Sequence, residues 1–580
     1  MTRGAETKSQ SSRRFVMRVT VVLAFFVLAS GALVARAVHL QVLDTEFYNS
    51  EADARHLRDQ VILAHRGTIT DRNGEPLAIS TPVDSIWANP RELAPAVDRI
   101  PQLAAMLELD PDQLIRRITR SMDREFIYLR RHLSPDRAAE VLALDLPGVN
   151  VQREYRRYYP AGEVTGHLVG FTNIDDVGQE GLELAFNHWL AGESGSKRVL
   201  RDQLGRPVEN VDSIQPPNHG RELRTSIDLR IQYVAYRTLK GAIREFDAES
   251  GSVVVLDVNT GEVLAMANQP AYNPNDRSQF HAERYRNRAI TDLFEPGSSL
   301  KPLVVAAALE SGMYRPSSII DTSPGSITIG AKTIEDSRNL GRVSLTTILA
   351  RSSNVGATRL AMSLPSDQLF STLQDFGLGS MTSSSFPGES SGVLRHYEEW
   401  REITQATLGY GYGVSVTPLQ LAQAYAVLGN EGRMQPVSLI ALEQPVEGEP
   451  VVSEDTAFAV KRMLEEVVRP GGTGTKAAVV GYRIAGKTGT AWKSGATGYS
   501  EDAYFSIFAG LAPASDPQIA VVVVIDEPSG ELYYGSDVAA PVFADVTAEA
   551  LRLLAIPPDA LPARDPGSVM QAMSHPADGQ

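Results

Sequence analysis

At 580 residues the chain is too long for one ordinary hydrophobic core, so its length predicts two or more domains. A hydrophobic content of 43% and a charged content of 22% are typical of globular proteins. The net charge of −15 argues against a nucleic-acid-binding protein, and the absence of cysteine excludes disulfides, thiolate zinc sites and cysteine nucleophiles.

The N-terminus predicts a membrane anchor. Residues 1–18 form a basic tail, and an uncharged run of 17 residues then separates Arg18 from Arg36. This length is near the lower limit for a helix that spans a bilayer, and the basic side of such a helix stays in the cytoplasm. We therefore predict residues 19–36 as an uncleaved single-pass anchor. The Ala35-Arg36-Ala37 sequence leaves a cleaved signal peptide as the alternative, and both alternatives export the chain.

The first predicted domain covers residues 37–222 and mixes short strands with amphipathic segments. The sequence from Asp71 to Gly74 predicts a turn between two short strands. Further along, apolar residues recur at helical spacing, which predicts one packing helix with four residues on its buried face: Leu182, Ala185, Phe186 and Trp189. A loop-forming cluster at 215–220 marks the predicted boundary.

The second predicted domain covers residues 223–556. It opens with a helical pattern from Ile227 to Phe246, followed by a hairpin around Asn259-Thr260-Gly261. Helical segments lead to two apolar strands at 505–513 and 518–528 and a closing helix at 538–555. Strands at both ends with helices between them predict an α+β domain, an antiparallel sheet flanked by helices. Residues 557–580, rich in proline and small residues, predict a disordered tail.

Three short motifs in the second domain carry chemistry. They occur in this order: Ser298-Ser299-Leu300-Lys301, Ser352-Ser353-Asn354 and Lys487-Thr488-Gly489-Thr490. Each motif alone is common by chance. Together, in this order, they are the signature of penicillin-binding proteins and class A β-lactamases.

The residues around Ser298 favour a nucleophile at the start of a buried helix. Pro302 cannot lie deep in a helix, so the helix must begin within about one turn before Lys301. Lys301 then shares a face with Ser298 and, desolvated near Lys487, can lose its proton near neutral pH and act as a base. Ser352 and Asn354 are suited to relay the proton and to hold the substrate amide. The Ser298 amide can form half of an oxyanion hole, and a strand through Lys487–Thr490 the other half, with Gly489 allowing a peptide backbone to approach.

The chain resembles the class B penicillin-binding proteins, the division-type septal peptidoglycan DD-transpeptidases. The resemblance rests on the N-terminal anchor and on sequences found along nearly the whole chain: HRGTITDRNG, RRYYPAGEVTGHLVGFT, GQEGLE, FEPGSSLKP, RSSNVG, LGYGYGVSVTPLQLAQAYA and AGKTGT. It implies a non-catalytic dimerisation or pedestal domain followed by a transpeptidase domain with a serine β-lactamase-like fold. In the first domain it places Arg66, Gly67, Asp71 and Arg72 at structural or partner-facing positions.

The resemblance also implies a role for each motif residue. Ser298 becomes the acylated nucleophile, Lys301 the general base, and Ser352 with Asn354 the second motif. Lys487 and Thr488 would bind the terminal carboxylate of the donor, and the amides of Ser298 and Thr490 would form the oxyanion hole.

The implied partners are D-Ala-D-Ala donor and amine acceptor stem peptides, β-lactams as covalent inhibitors, and a membrane-embedded glycosyltransferase with other division proteins. The implied location is the inner membrane, with the catalytic domain in the periplasm. An elongation-type enzyme of the same class stays an alternative.

A P-loop ATPase is a rival interpretation, because the sequence from Gly481 to Thr488 satisfies G-x-x-x-x-G-K-T. A P-loop must open a helix, however. The sequence predicts that Tyr482, Arg483 and Ile484 belong to a strand, and glycines follow soon after Lys487.

A serine β-lactamase is a second rival, but no E-x-x-L-N segment is found where class A enzymes carry one. A β-lactam sensor would need a multi-pass membrane region. The ten histidines lack ligand spacing, so we expect no metal and no cofactor.

Overall fold

The structure is a computed structural model that describes residues 5–43, 57–201, 207–276, 278, 281–495 and 498–560. Its contacts divide the chain into two compact units, one made of residues 1–64 and 193–219 and the other of residues 65–192 and 220–580. Of the predicted tail at 557–580, residues 561–580 lie outside the described part.

The first unit contains the predicted anchor. A helix runs over Ala5–Val38 and continues as a π-helical turn at His39–Leu43. Its segment Arg13–Gln41 has 29 residues and a mean hydropathy of 2.3, enough in length and composition to cross a membrane. The helix is therefore longer at both ends than the predicted 19–36. The unit also holds a three-stranded antiparallel sheet in the order Leu57–Ile62, Gly195–Arg201, Pro207–Gln215.

The N-terminal part of the second unit is built on the long strand Pro76–Ala88. It pairs with antiparallel strands Ile127–Leu133 and Val149–Tyr158, and short helices cover the sheet. Before it, Ile69–Thr70 forms the other arm of the predicted turn. Asp71 holds that turn, since one carboxylate oxygen accepts hydrogen bonds from the backbone N–H groups of Asn73 and Glu75 at 2.7 and 2.8 Å. The prediction of a turn here is confirmed.

The predicted packing helix at 182–189 is wrong in its continuity and in its buried face. The chain forms two short helices, Gly181–Ala185 and Asn187–Ala191, which break at Phe186. Leu182 is buried as predicted, but Ala185 and Trp189 are exposed and Phe186 is half-buried. The side chain that is buried instead is Glu183, at 0% exposure.

Two arginines explain the burial of Glu183. Arg66 donates to one carboxylate oxygen of Glu183 at 2.7 Å, and Arg157 donates to the other at 2.5 Å. Both arginines are themselves buried, so the negative charge of Glu183 is paired with two positive charges inside the fold. Arg66 thus occupies a structural position, one of the two roles expected for it.

A five-stranded antiparallel sheet forms the centre of the C-terminal part. Its strands lie in the order Val263–Gln269, Ser250–Asp257, Ile519–Asp526, Gly498–Ala512 and Ala485–Gly495. The predicted hairpin and the predicted pair of apolar strands are both present. Ala485–Gly495 lies at one edge of the sheet, so among the described residues one side of that strand has no sheet partner.

Helices cover both faces of this sheet, as expected for the predicted α+β class. Residues of Ile519–Asp526 alternate between two hydrophobic cores, one on each face. One face packs against Leu229–Glu245 and Ala539–Leu553, and the other against Pro418–Gly429 and Lys301–Glu310. Further helices of this unit are Pro90–Leu93, Ile100–Met106, Pro111–Arg120, Pro135–Leu142, Gly166–Val169, Ala282–Tyr285, Arg288–Thr291, Leu345–Arg351, Asn354–Ser363, Ser366–Asp375, Glu402–Leu408 and Glu454–Val468.

Candidate active site

The candidate nucleophile lies on a tight turn that opens a buried helix. Gly297–Leu300 forms one 3₁₀ turn, and the helix Lys301–Glu310 follows directly. Pro302 occupies the second helical position, where no intrahelical N–H donor is needed, as the sequence predicted. Ser298 is half-buried while its neighbours Ser299 and Leu300 are fully buried, so the turn presents the Ser298 side chain.

Lys301 is a fully buried lysine whose Nζ has three hydrogen-bond acceptors. Its Nζ donates to the Ser352 carbonyl oxygen at 2.6 Å, to the Ser352 hydroxyl at 3.2 Å and to Asn354 Oδ1 at 2.7 Å. None of these bonds goes to Ser298. Burial lowers the pKa of Lys301 well below its usual value, and the positive charge of Lys487 lowers it further, against an opposing effect of Asp336. The environment therefore favours a neutral amine that can accept a proton.

Ser352 connects two helices and points between the lysines. It ends the helix Leu345–Arg351 in a left-handed conformation with φ +57°. A non-glycine residue in this region of φ is strained. The next residue, Ser353, caps the helix Asn354–Ser363 and so holds Ser352 in this conformation. Ser353 also donates to Asp336 at 2.6 Å. The second motif is therefore held by a carboxylate that sequence analysis did not single out.

Lys487 approaches Ser352 from the sheet. Its Nζ donates to the Ser352 hydroxyl at 3.0 Å, to the Thr488 carbonyl at 3.0 Å and to Thr488 Oγ1 at 3.3 Å. Its exposure is 0%, and this burial lowers its pKa to about 7. Two ammonium groups so close would repel each other, so the pair holds its second proton weakly.

The nucleophile turn packs directly on the edge strand. A Cβ at Gly489 would lie 3.0 Å from the Pro296 carbonyl oxygen, and a Cβ at Gly297 would lie 3.2 Å from the Thr490 carbonyl oxygen. The backbones of Ser298 and Thr490 are thereby on adjacent segments, the arrangement that a two-amide oxyanion hole requires. Gly489 is buried against this turn, so the turn itself needs the glycine. The closeness of a substrate backbone to Gly489 stays a prediction.

A cavity of about 510 Å³ opens above these groups. Five of the predicted residues line it: Ser298, Ser352, Asn354, Thr488 and Thr490. Lys301 and Lys487 lie beneath it and Gly489 is buried beside it. Residues to which the sequence assigned no role complete the wall: Asp336, Ser337, Arg338, Leu340, Arg351, Thr473, Tyr534 and Ser536.

Thr473 shows why the sequence alone does not predict such residues. Its Oγ1 lies 3.0 Å from Thr488 Oγ1. In the sequence it belongs to a glycine-rich loop 15 residues before Thr488, and only the fold brings the two hydroxyls together. Arg338 reaches the cavity in the same way, with no short motif to mark it. Arg351 also lines the cavity and is the first residue of the RSSNVG sequence, in which only Ser352 to Asn354 were given a role.

The structure does not support a P-loop. Lys487 lies inside the strand Ala485–Gly495, and its ammonium group is bonded to Ser352 and Thr488. No helix begins at this lysine, and a P-loop lysine must precede one. The expectation that Tyr482, Arg483 and Ile484 belong to the strand is wrong, because the strand begins at Ala485. Within the described part of the chain, no group of three or more His, Asp or Glu side chains is placed to hold a metal ion.

Two family models match the chain. The penicillin binding protein transpeptidase domain matches residues 251–548, and the penicillin-binding protein dimerisation domain matches residues 61–225. The peptidoglycan D,D-transpeptidase FtsI of Escherichia coli K12 is 45% identical over 553 residues, covering 94% of both chains. The protein of the same name from Buchnera aphidicola (subsp. Schizaphis graminum) is 38% identical over 553 residues, covering 94% of this chain and 96% of its own.

Solved structures give the same result. A peptidoglycan synthetase from Bifidobacterium adolescentis has a TM-score of 0.70 and 25% identity, covering 87% of this chain and 98% of its own. Penicillin binding protein 3 from Mycobacterium tuberculosis, solved in complex with aztreonam, has a TM-score of 0.67 and 28% identity, covering 86% and 98%.

Proposed function

Because this chain belongs to the penicillin-binding protein family of peptidoglycan D,D-transpeptidases, we propose that it cross-links peptidoglycan stem peptides through an acyl-enzyme on Ser298. One observation carries the assignment of residues. Lys301 and Lys487 converge on the Ser352 hydroxyl directly beneath the cavity that Ser298 lines. A serine hydroxyl needs a neighbouring base, and this cluster supplies one.

In the first half-reaction Ser298 Oγ attacks the carbonyl carbon of the penultimate D-Ala of the donor. The hydroxyl proton passes to neutral Lys301, which lies one helical turn away on the same segment. The amides of Ser298 and Thr490 stabilise the negative charge on the tetrahedral oxygen. Ser352, which bonds both lysines, relays a proton to the nitrogen of the departing D-Ala. The product is an ester between the shortened stem and Ser298.

The donor is held by groups on both sides of the nucleophile. The hydroxyls of Thr488 and Thr490 line the cavity and are suited to bind the terminal carboxylate, with the buried charge of Lys487 behind them. Asn354 keeps Lys301 in place through its Oδ1 and also lines the cavity, where it can hold a substrate amide. Gly489 lets the nucleophile turn approach the strand.

Hydrolysis of the acyl-enzyme, as in a β-lactamase, is less well supported. That reaction needs a carboxylate or another base to activate a water molecule. Asp336 lines the cavity, but its two oxygens accept hydrogen bonds from the Ser353 hydroxyl at 2.6 Å and the Val355 N–H at 3.0 Å. These bonds give Asp336 a supporting role at the second motif.

We also propose the organisation that the sequence predicted. Residues 19–36 anchor the chain in the inner membrane, residues 37–222 form the pedestal, and residues 223–556 form the transpeptidase domain in the periplasm. The apolar helix and the two matched family domains support this division. A role in septal synthesis, beside a membrane-embedded glycosyltransferase and other division proteins, follows from the family resemblance.

The function is tested with the purified full-length chain and glycan strands that carry pentapeptide stems. We expect cross-linked stem dimers, each formed with loss of one D-Ala, and no product with Ser298→Ala. Release of D-Ala without any dimers would instead indicate a carboxypeptidase. Mass spectrometry of the digested strands distinguishes the two results.

A further inference from the structure

Two arginines line the nucleophile cavity and have no part in the proposed reaction. They are Arg338 and Arg351, and both side chains are exposed. Among the residues that the structure describes, neither guanidinium group has an ion pair or a hydrogen bond. Exposed arginines are common on protein surfaces, so what distinguishes these two is their position at the wall of the cavity that Ser298 lines.

Arg351 lies at the end of the cavity where the proposed donor places its terminal carboxylate. It directly precedes Ser352, whose hydroxyl lies between the two lysines. Its Nη2 atom lies 3.4 Å from the position of a Cβ at Gly471, so the guanidinium group reaches the loop that contains Thr473. The Thr473 hydroxyl in turn lies 3.0 Å from that of Thr488. The charge of Arg351 is therefore on the leaving-group side of the bond that Ser298 attacks.

Arg338 reaches the same cavity from the loop that follows Asp336. This loop is fixed to the second motif, because Asp336 accepts hydrogen bonds from the Ser353 hydroxyl at 2.6 Å and from the Val355 N–H at 3.0 Å. Each of the two Asp336 oxygens thus has a donor, and neither donor is Arg338. The loop therefore brings a second cation to the cavity wall.

The wall of this cavity carries more positive than negative charge. Arg338 and Arg351 are cationic, and Asp336 is the only acidic side chain among the described residues of the wall. The chain as a whole has a net charge of −15, so the positive charge here is a local feature and not a property of the whole surface. A cleft lined by one sign of charge attracts ligands of the opposite sign.

We propose that Arg338 and Arg351 are specificity-determining residues that favour negative charge on the leaving-group side of the ligand. This inference rests on the proposed function and adds a selectivity that the three motifs do not supply. The hydroxyls of Thr488 and Thr490 hold the terminal carboxylate itself, and the two arginines act on charge that lies beyond it. In a β-lactam, that charge is carried by a substituent of the ring fused to the lactam.

The exposure of the two arginines determines the kind of effect they have. Hydrated guanidinium groups make weak contacts that salt screens, so each contributes a small preference and not an obligatory contact. Charges at the rim of a binding site act mainly on the rate at which a charged ligand enters. The selectivity should therefore appear in the second-order rate constant for acylation and should decrease in high salt.

The test measures acylation of the full-length chain by two cephalosporins that share one acylamino side chain. The substituent on the six-membered ring ends in a carboxylate in one compound and in a quaternary ammonium in the other, and acylation breaks no bond of either substituent. The readout is the ratio of the two second-order rate constants, anionic compound over cationic compound. Because both compounds use the same nucleophile and the same base, a general change in reactivity cancels in this ratio.

The variants are Arg338→Gln, Arg351→Gln and the double variant, each of which removes charge but keeps a long polar side chain. The matched control is Arg315→Gln, because Arg315 is an exposed arginine of the same unit that does not line the cavity. The wild-type ratio in low salt is the reference, since the two compounds also differ in intrinsic reactivity.

We expect each single variant to lower the ratio about threefold, the effect of losing one exposed charge contact, and the double variant to lower it about tenfold. Arg315→Gln should keep the wild-type ratio, and high salt should bring the wild-type ratio towards that of the double variant. A double variant within twofold of wild type, or an equal fall in Arg315→Gln, would overturn the inference. A wild-type chain that forms no acyl-enzyme with either compound would contradict the proposed function itself, a different result from an unchanged ratio.

Discussion

Lys301 and Lys487 direct their side-chain nitrogens at one oxygen atom, at distances of 3.2 and 3.0 Å. That oxygen is the hydroxyl of Ser352, and both lysines are completely buried. Two ammonium charges cannot both be stabilised in such a buried site, so only one of the two lysines is protonated at a time. The cluster is therefore suited to pass that one proton between them. The lysines come from the helix after Ser298 and from the edge strand, so the proton can move between both walls of the cleft.

The first prediction concerns the pH dependence of acylation. Ser298 needs a neutral lysine, and burial lowers the pKa of Lys487 to about 7 while that of Lys301 is also well below its usual value. Below the apparent pKa of the pair, the second-order rate constant for acylation by penicillin should fall about tenfold per pH unit, and above it the rate should level off. Stopped-flow measurement with a chromogenic β-lactam between pH 5 and 9 checks this profile.

The variant Lys487→Met should shift the pH profile of acylation to higher pH. The charge of Lys487 lowers the pKa of Lys301, so its removal raises this pKa and shifts the acid limb to higher pH. Lys476→Met is the control, since Lys476 is exposed and paired with Asp537 at 2.8 Å. An acid limb that stays in place in Lys487→Met would contradict the coupling of the two lysines.

The second prediction separates backbone strain from packing at the nucleophile turn. Gly297 and Gly330 have φ values of +52° and +57°, so alanine at either position costs about 1 kcal/mol. Only at Gly297 would the new Cβ meet the edge strand, because nothing lies within 4 Å at Gly330. Gly297→Ala should slow acylation at least tenfold and lower the unfolding midpoint more than Gly330→Ala does, whereas Gly330→Ala should keep the wild-type rate of acylation. Equal rates in both variants would show that the turn tolerates displacement.

The sequence predicted the central sheet and the nucleophile helix well, because local rules govern both. Ile519–Asp526 is apolar without interruption, as a strand buried on both faces must be, and Pro302 can lie only near the start of a helix. The three motifs were recognisable because each depends on short, fixed spacing. Thr473 and Asp336 reach the site through tertiary contacts alone, and no local pattern distinguishes them from loop residues.

The segment around Glu183 shows where local rules fail. Helical periodicity assigned the buried face to apolar residues, whereas the fold buries a carboxylate between Arg66 and Arg157. Arg66 is 117 residues away in the chain. A buried ion pair over that separation reverses the usual preference for apolar burial, and a single sequence gives no sign of it.

The third prediction tests this ion cluster. Glu183→Gln leaves two buried guanidinium groups without their countercharge and should destabilise the protein by about 3 kcal/mol or more. The matched control is Glu140→Gln, which breaks an exposed pair with Arg137 and should cost less than about 0.5 kcal/mol. Thermal unfolding of the full-length chain in detergent, followed by tyrosine and tryptophan fluorescence, measures both. Equal midpoints for the two variants would contradict a structural role for Arg66.

The fourth prediction concerns the membrane topology. The basic tail before residue 19 should stay in the cytoplasm, so a reporter enzyme that is active only in the periplasm should be active when fused near Gly220. A reporter active only in the cytoplasm, placed at the same position, should be inactive. The opposite pattern, or a mature N-terminus near Ala37, would exclude the uncleaved anchor.

The most direct test of the central claim is the intact mass of the full-length chain after mixing with excess penicillin. Penicillin acylates the corresponding serine in a transpeptidase and in a β-lactamase, but only the β-lactamase hydrolyses the ester rapidly. In a transpeptidase the leaving group of the opened ring stays tethered and blocks the acceptor amine. We predict one adduct per chain that persists far longer than a catalytic turnover, located on Ser298 by peptide mapping and absent in Ser298→Ala. An adduct that remains in Ser298→Ala, or one that disappears rapidly while penicillin is steadily consumed, would contradict the account.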